Sequence, residues 1–143
     1  MLSENNGHIV TIASVAGKMG SAGLADYTST KHAVIGFHDS LVAEIGGYGK
    51  EGVKTTLICP YYVNTSMFDA TGATTRFPGV FPILETEYVV GKMFEAIETE
   101  QEYLVTPRIF YWILPQTQIL PYKAQKLIAE FFGLIQSLDR FHK

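Results

Sequence analysis

Two short runs of β-branched and apolar residues, joined by one long helical pattern, constrain this chain more than anything else in it. His8-Ile9-Val10-Thr11-Ile12-Ala13-Ser14 and Val53-Lys54-Thr55-Thr56-Leu57-Ile58-Cys59 each read as a strand. The first is apolar on both faces, as in the interior of a parallel sheet, and the second is ended by Pro60. Gly17, Gly20 and Gly23 punctuate a loop after the first strand. Residues 24–44 then carry Ala33, Val34, Phe37, Leu41, Val42 and Ile45 at helical spacing, with Gly46-Gly47 as the stop. A helix of that length serves as a crossover, and a strand–crossover–strand unit makes its two strands parallel. The unit recurs: residues 85–98 are amphipathic through Val89, Val90, Met93, Phe94 and Ile97, and residues 102–105 form a short third strand before Pro107. The fold class is therefore α/β. Between the second strand and the second helix lie about 25 irregular residues, and loops of that length inside compact domains are usually functional or mobile.

Composition narrows the function classes. The 143 residues suffice for one domain, and 47% hydrophobic with 17% charged residues is the composition of a folded chain. A net charge of −3 offers no basic footprint, so nucleic acid is not an expected partner. Cys59 has no second thiol to pair with, which fits a reducing, intracellular compartment. His8, His32, His38 and His142 show no metal-ligand spacing with it. The opening Met1-Leu2-Ser3-Glu4-Asn5-Asn6 is neither basic nor apolar in the manner of a secretory signal. No apolar stretch reaches the roughly 18 residues of a membrane span.

The candidate chemistry collects at one edge of the expected sheet. Tyr27 and Lys31 are four apart on the helix and share a face. A nearby ammonium stabilises a phenolate, the form a tyrosine must reach to act as a general base. By itself the pair reads equally well as a solvated surface contact. Ser14 stands at the C-terminal end of the first strand, thirteen residues before Tyr27, across the glycine-bearing loop. Pro60 ends the second strand, with Val63 and Thr65 just beyond, so all fall where parallel sheets bind ligands. Taken singly, Ser14 is a strand-end cap and Thr65 a loop or helix cap.

Together, Ser14, Tyr27-Thr28-Ser29-Thr30-Lys31 and Pro60-Tyr61-Tyr62-Val63-Asn64-Thr65 resemble the Ser, Tyr-x-x-x-Lys and Pro-Gly-x-Val-x-Thr elements of the short-chain dehydrogenase/reductase family. Order, spacing and strand–helix context agree from Gly7 to Pro107. Tyr61 stands where the family usually has Gly. The phrases Gly7-His8-Ile9-Val10-Thr11-Ile12-Ala13-Ser14, Val34-Ile35-Gly36-Phe37-His38 and Val53-Lys54-Thr55-Thr56 further resemble the membrane-associated retinol dehydrogenases and their 17-beta-hydroxysteroid dehydrogenase relatives.

The resemblance implies an oxidoreductase using NAD or NADP that interconverts a hydrophobic alcohol and its carbonyl, retinol-like or steroid-like. It implies that Tyr27 exchanges a proton with the substrate oxygen and that Lys31 supports Tyr27 and meets the cofactor ribose. It implies that Ser14 hydrogen-bonds the substrate oxygen, and that Pro60, Val63 and Thr65 flank the nicotinamide and a phosphate. Homo-oligomers are expected of the full-length parent.

The nucleotide-binding motif of that family, a Thr-Gly-x-x-x-Gly-x-Gly turn between its first strand and helix, has no counterpart here. Gly17, Gly20 and Gly23 follow the wrong strand, and Gly46-Gly47-Tyr48-Gly49 ends a helix rather than opening one. The expectation is the C-terminal part of a doubly wound, Rossmann-like parallel-sheet domain without its N-terminal nucleotide-binding half: a catalytic half over residues 1–107 and a helical extension over 108–143, inactive alone. The rival reading is a non-catalytic product acting as a membrane-surface or heteromeric binding partner.

The extension has two readings of its own. Ile109 to Leu114 and Ile119-Leu120 are apolar, and Leu127, Ile128, Phe131, Phe132, Ile135 and Leu138 line one helix face with Lys123, Lys126 and Arg140 nearby. That pattern suits a helix packed on the domain. It also suits an interfacial helix, with Trp112, Tyr111 and Tyr122 at headgroup depth, on the cytosolic face of the endoplasmic reticulum or on a lipid droplet.

Overall fold

The computed structural model describes residues 1–66 and 77–131. Phe132, Ile135, Leu138, Arg140 and His142 lie outside the described residues, as does the middle of the irregular stretch. The described elements run β1 (Gly7–Ile12), a 3-10 turn (Val15–Gly17), α1 (Ala25–Gly47), β2 (Val53–Pro60), α2 (Thr86–Glu98), β3 (Tyr103–Thr106), α3 (Phe110–Ile119) and α4 (Tyr122–Phe131). The strands form a three-stranded sheet in the order β1-β2-β3, parallel throughout. This is the α/β arrangement that the alternation of strand and helix patterns dictates.

Register follows from the apolar runs. Gly7 pairs with Val53 and Ile12 with Ile58, so the strands keep one offset over their whole common length. One core cluster joins Ala13, Val15, Ile35, Leu57, Cys59, Phe81, Val105, Phe110 and Leu114; Ile58, Ala96 and Leu104 form a second cluster against α2. Burying a Phe or Leu side chain contributes roughly 1.5–3 kcal/mol, so Phe81 and Phe110, both 0% exposed, are principal contributors. Burial also pushes the Cys59 thiol up to about 11, leaving it protonated and unreactive at neutral pH.

β1 has the apolar character of an interior strand, and with its nucleotide-binding half expected to be missing one edge should be unpaired. Among the described residues it pairs with β2 alone, it is half-buried along its length and Ile12 is 54% exposed. One expectation about burial needs correction: the inward face of α1 is not the stripe its apolar spacing suggests. Ile35, His38 and Ile45 are buried, while Phe37 is 67% exposed and Val42 is half exposed. A polar contact sets this rotation. The His38 Nδ1 lies 2.9 Å from the Thr11 hydroxyl of β1, which draws an imidazole inward and turns its neighbour Phe37 out.

The edge at β3 is covered from within the chain. The Tyr111 hydroxyl of α3 donates to the Tyr103 carbonyl (2.8 Å) and accepts from the Val105 N–H (3.2 Å) and the Gln101 amide (3.1 Å). These backbone groups face away from β2 and would otherwise offer a pairing edge. With Phe110 and Leu114 in the core, α3 is packed into the sheet domain. The next helix, α4, buries no residue completely.

Candidate active site

The shared register carries β1 and β2 to a common end. The offset of 46 residues between paired positions sets Ser14 beside Pro60, and the Ser14 hydroxyl donates to the Pro60 carbonyl at 3.4 Å. The Ala13 N–H still bonds the Ile58 carbonyl at 2.8 Å, so sheet pairing holds up to the residue before Ser14. Ser14 then caps the 3-10 turn, its Oγ accepting from the Ala16 N–H at 3.2 Å. The cap reading of Ser14 is therefore correct as geometry. It also leaves the hydroxyl proton on a long bond that a better acceptor can replace.

Gly17 fixes this turn against the helix. A Cβ at Gly17 would stand 2.6 Å from the Lys31 carbonyl oxygen and 2.6 Å from Ile35 Cδ1, so only glycine lets the turn lie this close to α1. The contact is made one turn beyond Tyr27, which sets the distance between the Ser14 loop and the tyrosine helix. In the sequence Gly17 reads only as loop punctuation.

Ser14, Tyr27, Pro60 and Val63 line one cavity of about 130 Å³, together with Met19 and Tyr61. Lys31 is not in that lining. Its ammonium sits 5.5 Å from the centroid of the Tyr27 ring, over the π face. Thr65 is exposed and also lies outside the lining. Val63 is held by a parallel bridge to Leu84, reinforced by hydrogen bonds from the Asn64 N–H to the Leu84 carbonyl (2.7 Å) and from the Leu84 N–H to the Tyr62 carbonyl (2.8 Å). The structure thus brings four of the six residues singled out in the sequence to one cavity and stacks a fifth, Lys31, on Tyr27.

The short chain dehydrogenase family model matches residues 1–76, which include every one of these positions. The chain belongs to the short chain dehydrogenase family. It is 40% identical over 141 residues to human epidermal retinol dehydrogenase 2, covering 99% of this chain and 45% of that protein. It is 41% identical over 133 residues to rat retinol dehydrogenase 10, covering 93% and 39%. The chain therefore spans less than half the length of these curated relatives. Among solved structures, a short chain dehydrogenase/reductase from Burkholderia phymatum, crystallised with NAD, aligns with a TM-score of 0.64 at 26% identity, over 83% of this chain and 50% of that one. A Burkholderia cenocepacia short chain dehydrogenase in complex with NADP aligns with a TM-score of 0.66 at 17% identity, over 88% and 48%, and shows the fold alone.

The described residues suit one end of a dinucleotide. The cavity lies at the C-terminal ends of parallel strands, where a nicotinamide ring would meet Ser14, Tyr27 and the Val63 segment.

Tyr61, which in the sequence reads as facing substrate or simply packing, does both: it lines the cavity and packs on the core cluster. Its ring packs 4.9 Å from Phe110 and 6.2 Å from Phe81, centroid to centroid, and burial raises the pKa of its phenol. Among the described residues the buried Tyr61 hydroxyl has no hydrogen-bond partner. An unsatisfied buried hydroxyl costs about 1–3 kcal/mol. Tyr61→Phe is therefore expected to raise unfolding stability by about 1 kcal/mol in urea denaturation. A destabilisation of that size would show that the hydroxyl is bonded in solution.

Proposed function

We propose that this chain supplies the substrate-binding and proton-handling half of an NAD- or NADP-dependent oxidoreductase that interconverts a hydrophobic alcohol and its carbonyl. The observation that carries the proposal is the single apolar-walled cavity shared by Ser14 and Tyr27 at the C-terminal ends of β1 and β2. Retinol-like compounds suit the kinship with retinol dehydrogenases, and steroid-like ones are the nearest alternative.

The bound dinucleotide would supply or accept the hydride. The chain's own residues handle the oxygen. Ser14 turns its hydroxyl proton from the Pro60 carbonyl to the substrate oxygen, where negative charge develops. Tyr27 takes the proton of an alcohol, or returns one to a carbonyl, at its phenolic oxygen. Lys31, whose ammonium stands over the Tyr27 ring, would orient that ring and meet the cofactor ribose. Pro60 and Val63, pinned to Leu84, would form the wall against the nicotinamide, and Thr65 would reach the neighbouring phosphate.

In a chain completed with a nucleotide-binding half, in which such enzymes would form homo-oligomers, Tyr27→Phe should lower turnover by at least about 100-fold with the circular dichroism spectrum unchanged. Turnover at the wild-type level would remove Tyr27 from the mechanism.

A second role is favoured by a different observation. Along α3 and α4, Trp112 is 75% exposed, Ile119 82%, Tyr122 80%, Leu127 67% and Phe131 59%. Among the described residues no helix is long and apolar enough to cross a membrane, so an apolar face of this kind would lie on one. This fits a role at the cytosolic face of the endoplasmic reticulum or at a lipid droplet, either for the enzyme or for a non-catalytic binding partner. Cutting the chain at residue 107 would remove Phe110 and Leu114 from the core, so point variants are the proper test. Ile119→Glu with Leu127→Glu should reduce co-sedimentation with phosphatidylcholine vesicles by at least about tenfold. Equal partitioning of variant and wild type would exclude the membrane role.

A further inference from the structure

A cavity of about 570 Å³ opens between the 18–22 loop and helices α3 and α4. Lys18 lines it from the loop and Lys126 from α4, and among the described residues no carboxylate joins them. This sets it apart in a chain whose net charge is −3. The cavity beside Lys92 is lined by Glu95 as well, and the one beside Lys50 and Lys54 by Glu51, Glu100 and Glu102. From the two lysines on one cavity wall and the exposed apolar face that adjoins it, we infer that this cavity holds the phosphate of an anionic membrane phospholipid. The inference rests on the membrane role proposed above and names the headgroup chemistry that role selects.

Both ammonium groups have donors to offer. Lys18 stands 3.9 Å from the Asp39 carboxylate, and Lys126 stands 3.7 Å from that of Glu130. These separations exceed the roughly 2.7–3.2 Å of an N–H···O bond, so the N–H donors are not spent on those carboxylates. The Lys18 side chain is only 29% exposed, which leaves its field less screened than that of a solvated lysine. Ser21 and Tyr122, also in the lining, carry hydroxyl donors. Other polar groups of the wall are tied to backbone carbonyls. Thr117 donates to Leu114 at 2.7 Å, Gln125 to Leu120 at 2.7 Å, and the His32 Nδ1 to Thr28 at 2.9 Å. The wall is therefore set before any ligand arrives.

Helix α4 joins the charged cavity to the apolar surface. Tyr122, Gln125, Lys126 and Ala129 recur at i, i+3, i+4 and i+7, and all four line the cavity. Leu127 and Phe131, four apart, form a neighbouring face that is exposed. Tyr122 belongs to both settings, since it lines the cavity and is exposed. A phospholipid presents an anionic phosphate directly beside acyl chains, so one molecule meets both faces. Inorganic phosphate would meet only the first.

Co-sedimentation of the purified chain with two kinds of vesicle tests this: phosphatidylcholine alone, and phosphatidylcholine containing phosphatidic acid. The acidic vesicles should be bound at least about twentyfold more tightly, the effect of a charge-assisted hydrogen bond. Lys18→Gln or Lys126→Gln should abolish that difference and leave binding to phosphatidylcholine within about twofold. Ala129→Glu, which sets a carboxylate in the cavity, should act in the same way. Lys123→Gln removes the same charge from the same helix outside the cavity. It should cost no more than about fivefold, the effect of a lysine merely near an anionic surface. Inorganic phosphate, matched to the lipid phosphate concentration, should not compete. Equal losses in Lys123→Gln and Lys126→Gln would reduce the effect to diffuse attraction and overturn the site. Full competition by inorganic phosphate would overturn the lipid as its occupant. Equal binding of the wild type to both vesicles would overturn the headgroup site while the membrane role stands, and binding to neither would remove that role itself.

Discussion

The parallel pairing of β1 with β2 is the constraint on which the rest of the structure depends. Because each residue of β1 pairs with the residue 46 positions later, the two strands finish together, and Ser14 meets the Pro60 carbonyl at their common end. A shift of one residue would turn every side chain of β1 to the opposite face and separate Ser14 from that edge. The pairing is reinforced by side chains as well as backbone. The His8 Nε2 lies 2.8 Å from the Thr56 hydroxyl, which in turn donates to the Gln101 carbonyl at 2.8 Å. These contacts tie β1, β2 and the approach to β3 into one register.

Helix α1 depends on that sheet for its rotation. Its apolar residues lie on more than one face, so hydrophobicity alone does not choose which side packs inward. The choice comes from His38 against Thr11 and from the close approach at Gly17. Desolvation lowers the His38 pKa from its ordinary 6.5, so the imidazole packs in its neutral form. The unfolded chain therefore binds that proton more readily than the folded one, and this contact loses stabilising power as pH falls through about 6.5. In the same orientation of α1, Tyr27 lines the cavity and Lys31 stands over its ring.

Much of this is legible in the amino-acid sequence, for identifiable reasons. Strands and crossovers announce themselves through β-branched runs and helical spacing. Ser14 and Pro60 stand out because parallel topology gathers strand ends on one edge, and Tyr27 because its spacing to Lys31 and Ser14 resembles the short-chain dehydrogenase pattern. What depends on tertiary contacts is not legible. The spacing that selects Phe37 as a core residue cannot register a buried His38–Thr11 contact. Tyr111 looks like one more aromatic, since only the fold shows its hydroxyl closing the edge of β3. Gly17 looks like any loop glycine until the Lys31 carbonyl is placed beside it.

The central claim is that Ser14 and Tyr27 form one site for an alcohol or carbonyl oxygen, assembled by this half of the fold alone. Its most direct test is a nuclear magnetic resonance titration of the isotopically labelled chain with cyclohexanol, a ring about the size their common cavity holds. The account predicts saturable shifts at Ala13, Ala16, Tyr27 and Val63, all lining that cavity, and their loss in Ser14→Ala. Shifts confined to the exposed faces of α3 and α4, or shifts at the cavity that survive in Ser14→Ala, would contradict it.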